Sequence, residues 1–138
     1  MKCILDSAVF INATSFPFSA KEKYLISSAC VNEIREALAK ARLEAALVQH
    51  HLQLQDPLPH SMESVKELAQ THGVLRLTSA DESVIALALE AHALKEKVLV
   101  YTDDYSIQNV LTWAKIPFSG VLQQGIHSKR SFRKKADF

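Results

Sequence analysis

Three acidic positions stand out by where they fall along the chain. Asp6 follows the short apolar run that ends at Leu5. Asp81 follows Val74-Leu75-Arg76-Leu77. Asp103 and Asp104 follow the unbroken apolar run Val98-Leu99-Val100-Tyr101. Runs of this kind read as buried strands of a parallel sheet. Ligands of open α/β sheets bind beyond the C-terminal ends of the strands. Carboxylates that meet at one such edge repel one another unless a cation neutralises them. An all-oxygen donor set suits Mg²⁺ or Mn²⁺ rather than zinc. Each acid also has a purely structural use. Asp81 can complement a helix dipole, and Asp104 can cap the helix that follows it. Asp6 opens no capping pattern and has the least structural excuse.

The elements that must carry these acids follow from periodicity. Lys2 to Leu5 is a first strand, and Ala8 to Asn12 begins a short helix. Pro17, between two phenylalanines, marks a loop over residues 14–19, and Tyr24 to Ile26 is a brief extended piece. Ser27 or Ser28 offers a cap for one long helix over about 29–53. Its apolar seam is Val31, Ile34, Leu38, Ala41, Ala45, Val48 and Leu52. Such a seam either faces the core or forms a coiled-coil dimer face. Pro57 and Pro59 end that helix. A second helix is expected from Ser61 to His72, with Gly73 just past its end. Val74 to Leu77 reads as the second strand. Ser79-x-x-Glu82 reads as a capping box for a helix over about 80–95 that is apolar all round. Val98 to Tyr101 is the third strand, followed by a helix to about Ala114 and a last strand near 118–122. Strands alternating with helices indicate an α/β sheet with helical crossovers.

Composition sets the outer bounds. The chain has 138 residues, 48% of them hydrophobic and 22% charged, enough for one domain with its own core. No apolar run approaches the roughly 18 residues of a membrane span, and the start is too soon charged for a signal peptide, so a cytoplasmic protein is expected. Cys3 and Cys30 do not form a C-x-x-C pair, so a cysteine zinc site or structural disulfide is not expected. The six histidines are scattered, and no Gly-rich phosphate loop is present. The net charge of +1 divides unevenly. Lys129, Arg130, Arg133, Lys134 and Lys135 face only Asp137 in the last ten residues. A basic tail on a slightly acidic body suits a polyanion, or is a solvated terminus.

Four segments together resemble the PIN-domain family. They are Ile4-Leu5-Asp6-Ser7, Val31-Asn32-Glu33-Ile34, Thr78-Ser79-Ala80-Asp81 running into Val84-Ile85-Ala86-Leu87-Ala88, and Val100-Tyr101-Thr102-Asp103-Asp104. The ordered set spans Lys2 to about Val121. The run from Thr102 to Val110 is especially similar to the Nob-type branch, endonucleases that mature the 3′ end of small-subunit ribosomal RNA. The resemblance implies an α/β, PIN-like three-layer fold with a central, mostly parallel sheet flanked by helices. It implies a nuclease domain over residues 1–128, followed by the basic tail 129–138. It also implies a metal-dependent endoribonuclease that hydrolyses RNA phosphodiester bonds with Mg²⁺ or Mn²⁺.

The resemblance further adds Glu33, which periodicity alone reads as a solvent-facing helix residue. The implied catalytic and metal-binding set is Asp6, Glu33, Asp81 and Asp103, with Asp104 as an accessory ligand. Ser7 and Thr102 would hold carboxylates or metal-bound water by hydrogen bonds. The tail residues Lys129, Arg130, Arg133, Lys134 and Lys135 are expected to bind RNA, with small-subunit ribosomal RNA precursor as the implied substrate. A homodimer through the long-helix region is a further expectation. The sequence departs from the Nob-type pattern in carrying no paired cysteines of a zinc ribbon. Two alternatives therefore stand beside the ribosomal reading: a VapC-type toxin ribonuclease held by an antitoxin, and an inactive PIN-like RNA-binding or assembly module.

Overall fold

The computed structural model describes residues 1–12, 15–74 and 76–121. Five strands form one sheet: β1 (Lys2–Leu5), β2 (Lys23–Ile26), β3 (Leu52–Leu54), β4 (Val98–Tyr101) and β5 (Phe118–Ser119). Their order across the sheet is β3-β2-β1-β4-β5, and every pairing is parallel. The helices are α1 (Ala8–Ile11), α2 (Ser28–Glu33), α3 (Ala37–Val48), α4 (Pro59–Thr71), α5 (Ser79–Ala93) and α6 (Tyr105–Trp113). The sheet is therefore wholly parallel where a mostly parallel one was expected. β1 and β4 lie side by side at its centre, with Ile4 level with Val100 and Leu5 with Tyr101.

Burial follows this layering. Ile4, Leu5, Leu25, Ile26 and Val100 are almost wholly excluded from solvent, as are Val84, Ile85 and Ala86 of α5. α5 packs on β1, β4, α2, α4 and α6. Its all-round apolar sequence is thus explained by neighbours on several sides. Among the described residues no helix is long and apolar enough to cross a membrane.

Several expectations need correction. The single long helix over 29–53 is two helices. Ile34 leaves the helix with φ −88° and ψ 98° and buries its side chain. Glu36 then restarts the helix as an extended N-cap, accepting hydrogen bonds from the backbone N–H groups of Leu38 and Ala39. A local cap and a buried anchor thus outweigh helical periodicity that would otherwise run on. The expected seam does not exist as one face. α3 buries Ala39, Leu43 and Ala46 instead, and leaves Leu38 and Val48 exposed. A dimer along a continuous seam loses its basis.

Leu52 to Leu54, placed in that helix, is strand β3. His50 takes a left-handed φ of 61°, ends α3 and turns the chain into the sheet beside β2. Conversely, Val74 and residues 76–78 carry no strand; β2 and β3 supply those places in the sheet. Finally, two helix starts shift. α4 begins at Pro59, whose fixed φ suits a first helical position, and Ser61 is buried within it. The box that opens α5 is Thr78 with Asp81, one residue before the expected Ser79 and Glu82. The basic tail lies outside the described residues.

Ile4 tests the arrangement, because it is fully buried between two strands. Ile4→Ala should lower unfolding free energy by roughly 2–5 kcal/mol in urea titration. A loss below about 1 kcal/mol would contradict a close-packed centre at β1.

Candidate active site

β1 rises through three buried residues and delivers Asp6 at its end, where the side chain is 7% exposed. The backbone N–H of Asp6 donates to Tyr101 O at 3.1 Å, so the ladder with β4 continues to the site itself. From the end of β4, Thr102 Oγ1 donates to Asp6 Oδ2 at 2.8 Å. The same oxygen accepts from the backbone N–H of Asp104 at 3.1 Å. Buried Gln108 fixes Thr102 from behind, donating from Nε2 to its carbonyl at 2.9 Å. On the other side Ser7 Oγ lies 3.3 Å from Asp6 Oδ1 and 3.0 Å from Glu33 Oε1. A hydroxyl has one proton to donate, so Ser7 bridges two carboxylates but serves one at a time.

Glu33 is the last residue of α2, exposed at the point where that helix breaks. Asp81 is partly buried in the first turn of α5 and accepts from the Thr78 backbone N–H at 3.0 Å. Asp104 caps α6, accepting from Ser106 N at 2.7 Å and Ile107 N at 3.3 Å. Asp103 Oδ1 accepts from Val121 N at 2.7 Å, beyond the end of β5.

The electrostatics tie four of these acids together. Burial raises Asp6 above the usual carboxylate range, and repulsion from Asp81 adds to it against the hydrogen bonds from Thr102 and Ser7. Burial likewise raises Asp81, with repulsion from Asp104 and Glu33 adding to it. Behind the site, burial pushes the Cys30 thiol up to about 11, helped by the fields of Asp6 and Glu33. Asp6, Glu33, Asp81 and Asp104 therefore share one field.

Two serines that sequence reading did not single out as site residues hold the acid-bearing helices in place. Ser27 Oγ and Ser83 Oγ lie 2.6 Å apart in the core, joining the cap of α2 to α5. Ser27 also accepts from Cys30 N at 3.2 Å. A polar residue at position 83, inside an otherwise apolar helical run, was the available signal.

The donor set fits a hard divalent cation: it is all oxygen, and its like charges repel one another. Among the described residues no three His, Cys, Asp or Glu side chains stand as a ready metal cage. Asp81 and Asp104 are both occupied as helix caps in this arrangement, which accounts for the spread.

Comparison with known proteins was made on this basis. A family model described as the PIN domain of ribonuclease matches residues 3–91. The chain is 36% identical over 135 residues to Endoribonuclease Nob1 of Methanothermobacter thermautotrophicus, covering 97% of this chain and 77% of that protein. It is 31% identical over 110 residues to Ribonuclease VapC3 of Aeropyrum pernix, covering 78% and 76% respectively. Among solved structures, a chain of VapBC2 from Rickettsia felis, bound to a promoter DNA fragment, superposes with a TM-score of 0.58. That match covers 87% of this chain and 98% of the other at 14% identity, a likeness of fold.

The crowding predicts a pH dependence. Asp6 and Asp81 bind a proton more readily folded than unfolded. In chelator, their contribution to stability is therefore fully present below the ordinary carboxylate pKa of about 4 and is lost as pH rises through their raised values. Asp81→Asn removes one of these groups. Urea midpoints of variant and wild type should converge in acid and separate near neutrality, with the variant more stable. The opposite order near neutrality would mean that the helix-cap role of the charged carboxylate outweighs the crowding.

Proposed function

The chain belongs to the PIN-domain family, and on that premise we propose that it is a metal-dependent endoribonuclease whose active carboxylates include Asp6, Glu33, Asp81 and Asp104, with Asp103 beside them. The observation that carries this reading is the shared field of those four acids at the C-terminal edge of β1 and β4. Mg²⁺ or Mn²⁺ is the cation this donor set would take. When bound, such an ion supplies activation of a water and neutralisation of charge on the phosphoryl oxygens.

The chain's own residues supply position. Thr102 orients Asp6 through its hydroxyl, and Ser7 holds Asp6 and Glu33 within reach of one another. Asp104 keeps its place through the first turn of α6. Asp103 and Asp104 both follow β4 and are both candidate ligands: Asp104 contributes to the field at Asp81, and Asp103 Oδ1 accepts from the Val121 amide. The RNA to try first is the 3′ region of small-subunit ribosomal RNA precursor, in a cytoplasmic setting. The similarity to the Nob1 endoribonuclease over almost the whole chain favours that substrate. The VapC3 similarity supports a second reading, a toxin ribonuclease with an antitoxin partner. Growth arrest on expression, relieved by Asp6→Asn, would favour it.

Cleavage of end-labelled precursor RNA with Mn²⁺, and its loss in EDTA, tests the activity. Asp6→Asn and Asp104→Asn should each lower the rate by more than the roughly 10- to 100-fold typical of losing a group that only orients a ligand. Full activity in Asp6→Asn would refute the site. Asp103→Asn measured beside Asp104→Asn decides between the two neighbours: the variant with the larger loss marks the metal ligand.

A further inference from the structure

Tyr105 opens α6 one residue after Asp104, at the edge where β1 and β4 end. It is 79% exposed, and no large apolar side chain among the described residues is more so. α6 meets the core without it, through Ile107, Gln108, Val110 and Leu111. Among the described residues the Tyr105 hydroxyl makes no hydrogen bond and its ring meets no other ring. Trp113, exposed at the far end of the same helix, is by contrast covered by His72, with ring centres 4.0 Å and planes 15° apart. Tyrosine has no advantage in forming a helix. Neither packing nor helix formation therefore calls for an aromatic at position 105.

Its direction is set by the helix. Every Cα–Cβ bond of an α-helix tilts toward the N-terminus. At the first position of α6 that tilt is toward the edge that carries the acids. Asp104, the preceding residue, acts on Asp81, and Thr102, three residues back, is bonded to Asp6. The ring thus stands beside the carboxylate field. Carboxylates at this edge repel a phosphate backbone. An uncharged aromatic face adds affinity there without entering that repulsion, and a flat face is what a nucleobase offers in return.

We infer that Tyr105 is a stacking platform for one nucleobase of the RNA strand, next to the phosphate that lies at the carboxylates. The inference rests on the ribonuclease reading and adds to it a residue that holds the substrate and takes no part in metal chemistry. Every base has a π-face, so the platform fixes the place of the strand and not its sequence. Its contribution is uncharged and keeps its size as salt rises, whereas each phosphate contact weakens.

The test begins with binding of a short fluorescein-labelled single-stranded RNA in EDTA, by anisotropy, at about 50 and about 200 mM salt. Tyr105→Ala should weaken binding roughly 5- to 150-fold, the range of one stacked base. The ratio of variant to wild type should be the same at both salts, and the melting temperature should not change. Tyr105→Phe and Tyr105→Trp should keep wild-type affinity. In Mn²⁺, an abasic nucleotide walked along both sides of the cleaved bond should lower kcat/KM at one position in wild type and have no further effect there in Tyr105→Ala. Equal affinity of Tyr105→Ala and wild type would overturn the platform, and is the result expected if Tyr105 serves a protein partner instead. Failure of Tyr105→Phe to restore binding, a ratio that shrinks with salt, or equal abasic effects in the two proteins would overturn it as well. Wild type that still cleaves with metal in those cases keeps the ribonuclease reading. Wild type that does not cleave removes that reading and the platform with it.

Discussion

Parallel pairing is the constraint on which the rest of the molecule depends. When every strand runs the same way, every strand ends at the same edge, and whatever follows β1, β2 and β4 is delivered there. Asp6 follows β1, and Thr102 to Asp104 follow β4. The short helix α2, which ends at Glu33, follows β2. The side chains of Asp6 and Thr102 meet although 96 residues separate them in sequence. The sheet must be in register before that bond can form. The site is therefore a product of the whole fold rather than of any local motif.

The same geometry makes the site energetically uneasy. Asp6 and Asp81 are buried enough to favour their neutral forms, and each is pressed by another carboxylate. Hydrogen bonds from Thr102, Ser7 and the Thr78 backbone offset part of this and no more. Crowded charge of this kind is tolerated because the surrounding core is well filled and the α2–α5 contact is pinned by the Ser27–Ser83 pair. Stability given up at the acids is available as affinity for a cation.

Much of this was legible in the sequence. β1 and β4 are unbroken apolar runs, and each is followed at once by a polar residue that reaches the edge. α6 announces itself through Asp104 and the spacing of Ile107, Val110 and Leu111, all of which are buried. Less was legible wherever a local device overrode periodicity. Residues 29–53 keep a helical spacing throughout, yet Glu36 can cap as well as continue, and His50 adopts a conformation no spacing rule anticipates. The strand expected over residues 74–77 had the right apolar character, but β2 and β4 already fill the positions beside β1.

The outer strands carry a separate consequence. β3 is three residues long and β5 two, so among the described residues each flank of the sheet offers few unpaired backbone groups. Long flat flanks recruit further strands from other chains and lead to aggregation. Among the described residues, outer strands this short present little backbone for edge-to-edge pairing with another chain.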